Sequence, residues 1–250
     1  MSFDWIVRII SENWPMFLRG AGLTLFIALI GTIFGAVIGL IAGIIRTIPV
    51  PERGTKKWFL KLVNFILSIY IEFFRGTPMI VQAMVIYYGS ALAFNMDMNV
   101  LLAAVIVVSI NTGAYMAEIV RGGIVSIEKG QFEAAQAIGM NHFQTMMNVV
   151  LPQVIRNILP ATGNQFVINI KDTSVLNVIS VSELYFLTKS VAGNNFRYFE
   201  SFFVACILYF VMTFIVTRVL LYFERKLEGP DSYTVLGHEN DVPTTHTTGA

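Results

Sequence analysis

Only one cysteine, Cys206, occurs in 250 residues, so no disulfide can form within the chain. It lies in an apolar run and reads as a small packing residue. The three histidines are scattered without metal-ligand spacing, and no metal site is expected. Charge is scarce as well. Asp, Glu, Lys and Arg make up 13% of the chain, against about 25% in soluble domains. No G-x-x-x-x-G-K-[ST] stretch is present, which excludes ATP binding through a P-loop in this chain. Paired acids, metal ligands and nucleophile constellations are all missing, so the sequence does not read as an enzyme. The opening MSFDWIVRIISENWP lacks a basic segment followed by an apolar core and an A-x-A site, and no cleaved signal peptide is expected. Nothing points to nucleic acid. The net charge of +1 matters less than where the positive residues fall.

What remains is apolar. Hydrophobic residues make up 55% of the chain and the mean hydropathy is +0.67. An all-α integral membrane protein is expected, with its lipid bilayer as solvent. Residues 1–19 read as an interfacial segment anchored by Phe3, Trp5, Trp14 and Phe17. Gly20 to Ile45 carries no charge and is long enough for a tilted first span. Within it Gly31, Gly35, Gly39 and Gly43 recur at every fourth position, a stripe that permits close helix packing. Arg46, Arg53, Lys56, Lys57 and Lys61 follow, with Pro49 and Pro51. By the positive-inside rule this loop is cytoplasmic and the N-terminus outside. Further spans are expected over Leu62–Tyr88, Asn99–Ile119, Asn157–Phe186 and Ser201–Phe223. Five spans result, with residues 1–227 as one transmembrane domain. Residues 228–250, rich in Thr, Pro and Asp, read as a disordered cytoplasmic tail.

Several charges interrupt these spans: Glu72, Arg75, Glu118, Lys171 and Asp172. A charge at the centre of a span costs about 2.5–3.5 kcal/mol on insertion scales, and such residues face a bundle interior or a polar cavity. Arg75, Gly76, Thr77 and Pro78 describe a broken helix, which is tolerated at membrane depth where it lines a cavity. The planar Arg75 fork suits a carboxylate. Asp172, backed by Thr173 and Ser174, suits an α-ammonium. Asn111, Tyr115 and Glu118 share one face of the third span. Two readings stand side by side. Either these groups form a ligand site, or they pair with one another (Glu72 with Arg75, Lys171 with Asp172 or Glu118) and hold the bundle together.

Between the third and fourth spans, at about 128–152, runs a polar loop containing EAAQAIGMNHFQTMMNVVLP. Its Ala, Gln and Met content favours helix. Gly139 offers a bend, and Pro152 suits the first turn of the next helix. A short helix, a turn, a second short helix and entry into a span are therefore expected. The offsets from Glu133, Ala134 and Ala135 through Gly139 to Val149, Leu151 and Pro152 resemble the EAA loop of ABC-importer permeases. Val149 stands where that pattern carries Ile, a conservative difference.

YIEFFRGTPMIVQAMVIYYG, INTGAYMAEIVRGGIVSIEKGQFEAA and NIKDTSVLNVISVSEL resemble the polar-amino-acid branch of those permeases, the histidine, glutamine and arginine type. The similarity covers nearly everything from Gly20 to Arg225. It implies the five-transmembrane-helix type I ABC importer permease fold and a bacterial inner membrane location. It also implies a dimeric ABC ATPase subunit as partner, carrying the ATP and Mg that this chain does not bind. Glu133, Ala134, Ala135 and Gly139 would dock on that ATPase. A second permease subunit, identical or paralogous, and an extracellular substrate-binding protein complete the implied assembly. Substrate residues implied by the resemblance are Arg75, Thr77 and Asp172, with the Asn111 and Glu118 face reading the side chain; Gly76, Tyr115 and Ser174 join this candidate site from their places beside those residues. FDW, AFN and GNNF resemble glutamine permeases. An ion-coupled secondary transporter is the alternative, and the lack of a visible internal repeat weighs against it.

Overall fold

The computed structural model describes residues 3–95 and 97–228. Residues 229–250, which hold nearly all of the expected tail, lie outside the described residues. The described residues form nine α-helices and no strand. They are α1 (Phe3–Thr47), α2 (Thr55–Gly76), α3 (Met79–Phe94), α4 (Val100–Val125), α5 (Lys129–Ala137), α6 (His142–Thr145), α7 (Leu151–Asp172), α8 (Leu184–Asn195) and α9 (Tyr198–Glu228). A π-helical turn, Met146–Val150, joins α6 to α7, and a 3-10 segment, Thr173–Ile179, prolongs α7.

The core is the α1–α4 pair. Gly31, Gly35, Gly39 and Gly43 on α1 each face one residue of α4: Val108, Thr112, Met116 and Val120. A Cβ built on Gly35 would sit 2.6 Å from Thr112 Cβ, and one on Gly43 would sit 2.6 Å from Val120 Cγ1. Both partners step by four residues, so one ridge lies in one groove along the whole contact. Lipid supplies no hydrophobic drive between helices, and this backbone approach gains dispersion contacts instead. At the centre of the bundle Asn169 Nδ2 donates to Thr32 Oγ1 at 2.8 Å and to Thr112 Oγ1 at 2.9 Å. One buried amide thereby links α1, α4 and α7.

Residues 3–19 are not a separate interfacial segment. They run without a break into α1, and Ile6, Ile9 and Phe17 are buried against α8 and α9 residues such as Leu184, Val191 and Val204. Phe17 is thus a core residue, because residues 6, 9 and 17 share the face that packs on the bundle. The expected second span is two helices, α2 beginning at Thr55 and α3 ending at Phe94. The expected fourth span is also two helices. α7 starts at Leu151, and the helix from His142 to Ile179 meets α8 at 57°. Ser180 ends the first member in the left-handed region (φ 66°). Glu183 starts the second, its carboxylate accepting from Phe186 N at 2.7 Å, Tyr185 N at 2.8 Å and Tyr209 Oη at 2.9 Å. Cys206, expected to pack inside, is instead exposed on α9, on a side that the other described helices leave uncovered.

Among the described residues, α1, α4 and α9 are long and apolar enough to cross a membrane, and the bent α7–α8 pair makes a fourth. α3, with 16 residues, is apolar but short. α2 carries charges, one amide and a hydroxyl along one side.

Candidate functional site

The break between α2 and α3 is built from two extended residues, Thr77 (φ −118°, ψ 148°) and Pro78 (φ −65°, ψ 135°). Proline cannot donate to the preceding turn, so the last carbonyls of α2 need partners from elsewhere. They find them. Thr77 Oγ1 donates to Phe73 O at 2.8 Å. Gln82 Nε2 lies 2.9 Å from Phe74 O, Thr77 O and Thr77 Oγ1. Asn111 Nδ2 donates to Phe74 O at 3.2 Å and to Gln82 Oε1 at 2.9 Å. Tyr70 Oη donates to Ile110 O at 2.6 Å, one residue before Asn111. The break is therefore pinned to the middle of α4.

This geometry divides the expected substrate residues. Arg75 is exposed at the end of α2, and its guanidinium lies over the Tyr115 ring, 5.6 Å from the centroid. No described carboxylate pairs with it, so the Glu72–Arg75 pairing does not form. Gly76 beside it has open space around its Cα. Asn111 is buried and committed to the break, a structural role where a reading role was expected. The hydroxyl of Thr77 is likewise engaged on both sides, as donor to Phe73 O and acceptor from Gln82.

Glu118 is also not free. Arg46 Nη1 at the end of α1 donates to its Oε1, while Arg121 Nη2 donates to Oε2 at 2.9 Å. The carboxylate sits one turn beyond Tyr115 and clamps α1 to α4. Neither Lys171 pairing occurs: Lys171 lines a groove with Thr213, Thr217 and Arg218 of α9. Asp172, half-buried at the end of α7, receives no hydrogen bond or ion pair among the described residues. Ser174 follows in the 3-10 segment, which packs on α3 and α4. Arg75, Tyr115 and Gly76 thus form one wall, and Asp172 with Ser174 stands on neighbouring elements.

Two residues with clear roles in the structure have none that the sequence suggests. Gln82 caps the break, and Glu183 caps α8. Gln82 is an amide in an apolar helix three residues after a helix start, and that offset is its only local signal.

The polar loop forms as its residues dictate. α5 ends at Ala137, Gly139 turns the chain at φ +85°, and Asn141 opens α6 in a capping box with Gln144. Glu133 and Ala134 are exposed on α5, whereas Ala135 is 4% exposed and points into the loop's own packing. Of the three EAA residues, Ala135 alone is thus covered within this chain. Phe132, Met146, Val150 and Leu151 join Val120 and Ile124 in a cluster that fastens the loop to α4 and α7.

The family described as "Binding-protein-dependent transport system inner membrane component" matches residues 54–229. The glutamine transport system permease protein GlnP of Escherichia coli (strain K12) is 38% identical over 232 residues, 91% of this chain and 99% of that protein. The L-cystine transport system permease protein TcyB of Bacillus subtilis (strain 168) is 33% identical over 86% of this chain and 88% of that protein. Among solved structures, the "Crystal structure of an amino acid ABC transporter with histidines" aligns with a TM-score of 0.78. That alignment is 34% identical and covers 90% of this chain and 100% of the other. The expected type I importer fold is therefore the observed one, and the chain belongs to the binding-protein-dependent transport system inner membrane components, the permease subunits of ABC importers.

Proposed function

We propose that this permease imports polar amino acids, with glutamine the leading candidate, by alternating access. The similarity to GlnP at 38% identity supports glutamine, and that to a cystine permease at 33% keeps the proposal at the level of a leading candidate. In this reading the N-terminus is outside and the EAA loop is cytoplasmic. An extracellular binding protein delivers substrate, and a second permease subunit completes the pathway. A separate ATPase dimer docks on Glu133, Ala134 and the Gly139 turn. ATP-driven closure of that dimer shifts the bundle between two states, each biased by its own ligand.

The observation that carries the substrate site is Arg75. It is an exposed guanidinium at the end of α2, next to the helix break, with no described carboxylate partner, held over Tyr115 beside the open Gly76. An unpaired cation in that position is costly unless a ligand or water solvates it. A substrate carboxylate fits its two parallel donors. Asp172, which forms no described hydrogen bond or close ion pair, suits the substrate ammonium. Glu118 and Asn111 act as supports. Charge-assisted hydrogen bonds contribute about 1.5–3 kcal/mol. Arg75→Ala should therefore weaken amino-acid binding by roughly 10- to 150-fold and abolish uptake in reconstituted importer, while the complex still assembles. A titration of the purified complex against a panel of polar amino acids names the substrate. Unchanged uptake kinetics in Arg75→Ala would make Arg75 a structural residue.

A further inference from the structure

α2 has three sides. Leu67, Tyr70, Ile71 and Phe74 lie toward the bundle, where Ile71 is buried with Ala42 and Ala117. Leu62, Phe65, Ile66, Ile69 and Phe73 are exposed and apolar, a surface that suits lipid. The third side holds Lys57, Lys61, Asn64, Ser68, Glu72 and Arg75. Their spacings are four, three, four, four and three, which on an α-helix confines them to an arc of about 80°. Lys61, Glu72 and Arg75 on this ridge are exposed, and Lys57, Asn64 and Ser68 are partly so. No described ion pair involves any of the four charges. The ridge is about 27 Å long at 1.5 Å per residue, close to the roughly 30 Å of a hydrocarbon core.

Such a row cannot face lipid without a cost of about 2.5–3.5 kcal/mol per charge near the centre, and its charged members do not face this chain's own bundle, although Asn64 Oδ1 is buried without a hydrogen-bond partner. The row starts at Arg75, the proposed substrate contact, and ends in the basic segment after α1. Resting on the substrate site proposed above, we infer that this ridge is the wetted wall of the solute's exit route, leading from Arg75 to the face that carries the EAA loop. Its chemistry suits a zwitterion. Glu72, one turn from Arg75, accepts from the departing ammonium, the Ser68 hydroxyl and the Asn64 amide nitrogen offer neutral hydrogen bonds, and Lys61 and Lys57 draw the carboxylate outward. Glu72 and Ser68 thereby become residues of passage, distinct from those of initial capture.

The test is thiol accessibility in the intact reconstituted importer. Cys206→Ser removes the only native thiol. Single replacements Asn64→Cys, Ser68→Cys and Glu72→Cys are then compared with Phe65→Cys and Ile69→Cys on the apolar side. A charged, membrane-impermeant methanethiosulfonate is supplied from the EAA-loop face. Modification at 64, 68 and 72 is expected at least ten times faster than at 65 and 69, and slower in the vanadate-trapped state. Equal rates on the two sides would overturn the inference. So would modification at 64, 68 and 72 that is no slower in the vanadate-trapped state. Both outcomes are independent of substrate binding, so failure of the Arg75 site would show separately, as an amino-acid affinity that Arg75→Ala leaves intact.

Discussion

Gln82 illustrates how much a single amide can hold. Its nitrogen serves three acceptors at the α2–α3 break, and its oxygen accepts a hydrogen bond from Asn111 on α4. Gln82→Leu would preserve volume but leave two backbone carbonyls and the Asn111 amide short of partners. An unsatisfied buried polar group costs about 1–3 kcal/mol. The thermal midpoint of the purified complex should fall, and uptake should fall with it even though Arg75 is untouched. A variant with wild-type melting and uptake would show that the break is held by the backbone alone. Residue-scale roles of this kind are hard to read from sequence. Asn111 meets Gln82 across 29 positions and Arg46 meets Glu118 across 72. No local periodicity encodes such pairings. Arg75, Tyr115 and Asp172 were legible as candidates because charge and phenol in an apolar run stand out. The commitment of Glu118 and Asn111 to structure was not.

Among the elements, the α1–α4 pair is the most constrained. Its glycine stripe was legible from a four-residue repeat, and the structure adds the partner row on α4. Gly35→Val would push a branched side chain into Thr112 and Gly113, whose backbone N lies 3.1 Å from where the new Cβ would sit. Overpacking of this kind costs about 1–3 kcal/mol. The expected result is poor recovery of assembled complex when expression is warm, rescued in part when it is cool. Gly22→Val, with nothing within 4 Å, should assemble normally. Equivalent yields for the two variants would refute the close-approach argument. The polar loop was legible for a different reason. Glycine at positive φ, an Asn–Gln capping box and a proline at the helix start are local signals, readable within a few residues. The breaks within the second and fourth expected spans were legible only as interruptions. Their bend depends on which distant groups satisfy the freed backbone.

Across the whole molecule, α4 joins the two candidate functional regions. The α2–α3 break is pinned to it at Asn111, and the polar loop is fastened to it at Val120 and Ile124. Glu133→Lys reverses a charge on the exposed side of α5, away from the buried Ala135. In proteoliposomes it should cut the stimulation of ATP hydrolysis by substrate-loaded binding protein by tenfold or more, with little change in the stability of the permease. Hydrolysis that still rises normally would remove α5 from the proposed ATPase contact. Ala135→Leu should instead lower the thermal midpoint of the permease, since that buried side chain has little room to grow.

The π-helical turn at Met146–Val150 has one more effect. Because helical backbone continues through it, the chain from His142 to Ile179 is a single rod with Asp172 far along its length. A stroke applied at the foot of this rod needs no relay through loops or side-chain rearrangement. In the proposed cycle it would tip the far end directly, as a tiller turns a rudder, and the carboxylate of Asp172 would swing with it.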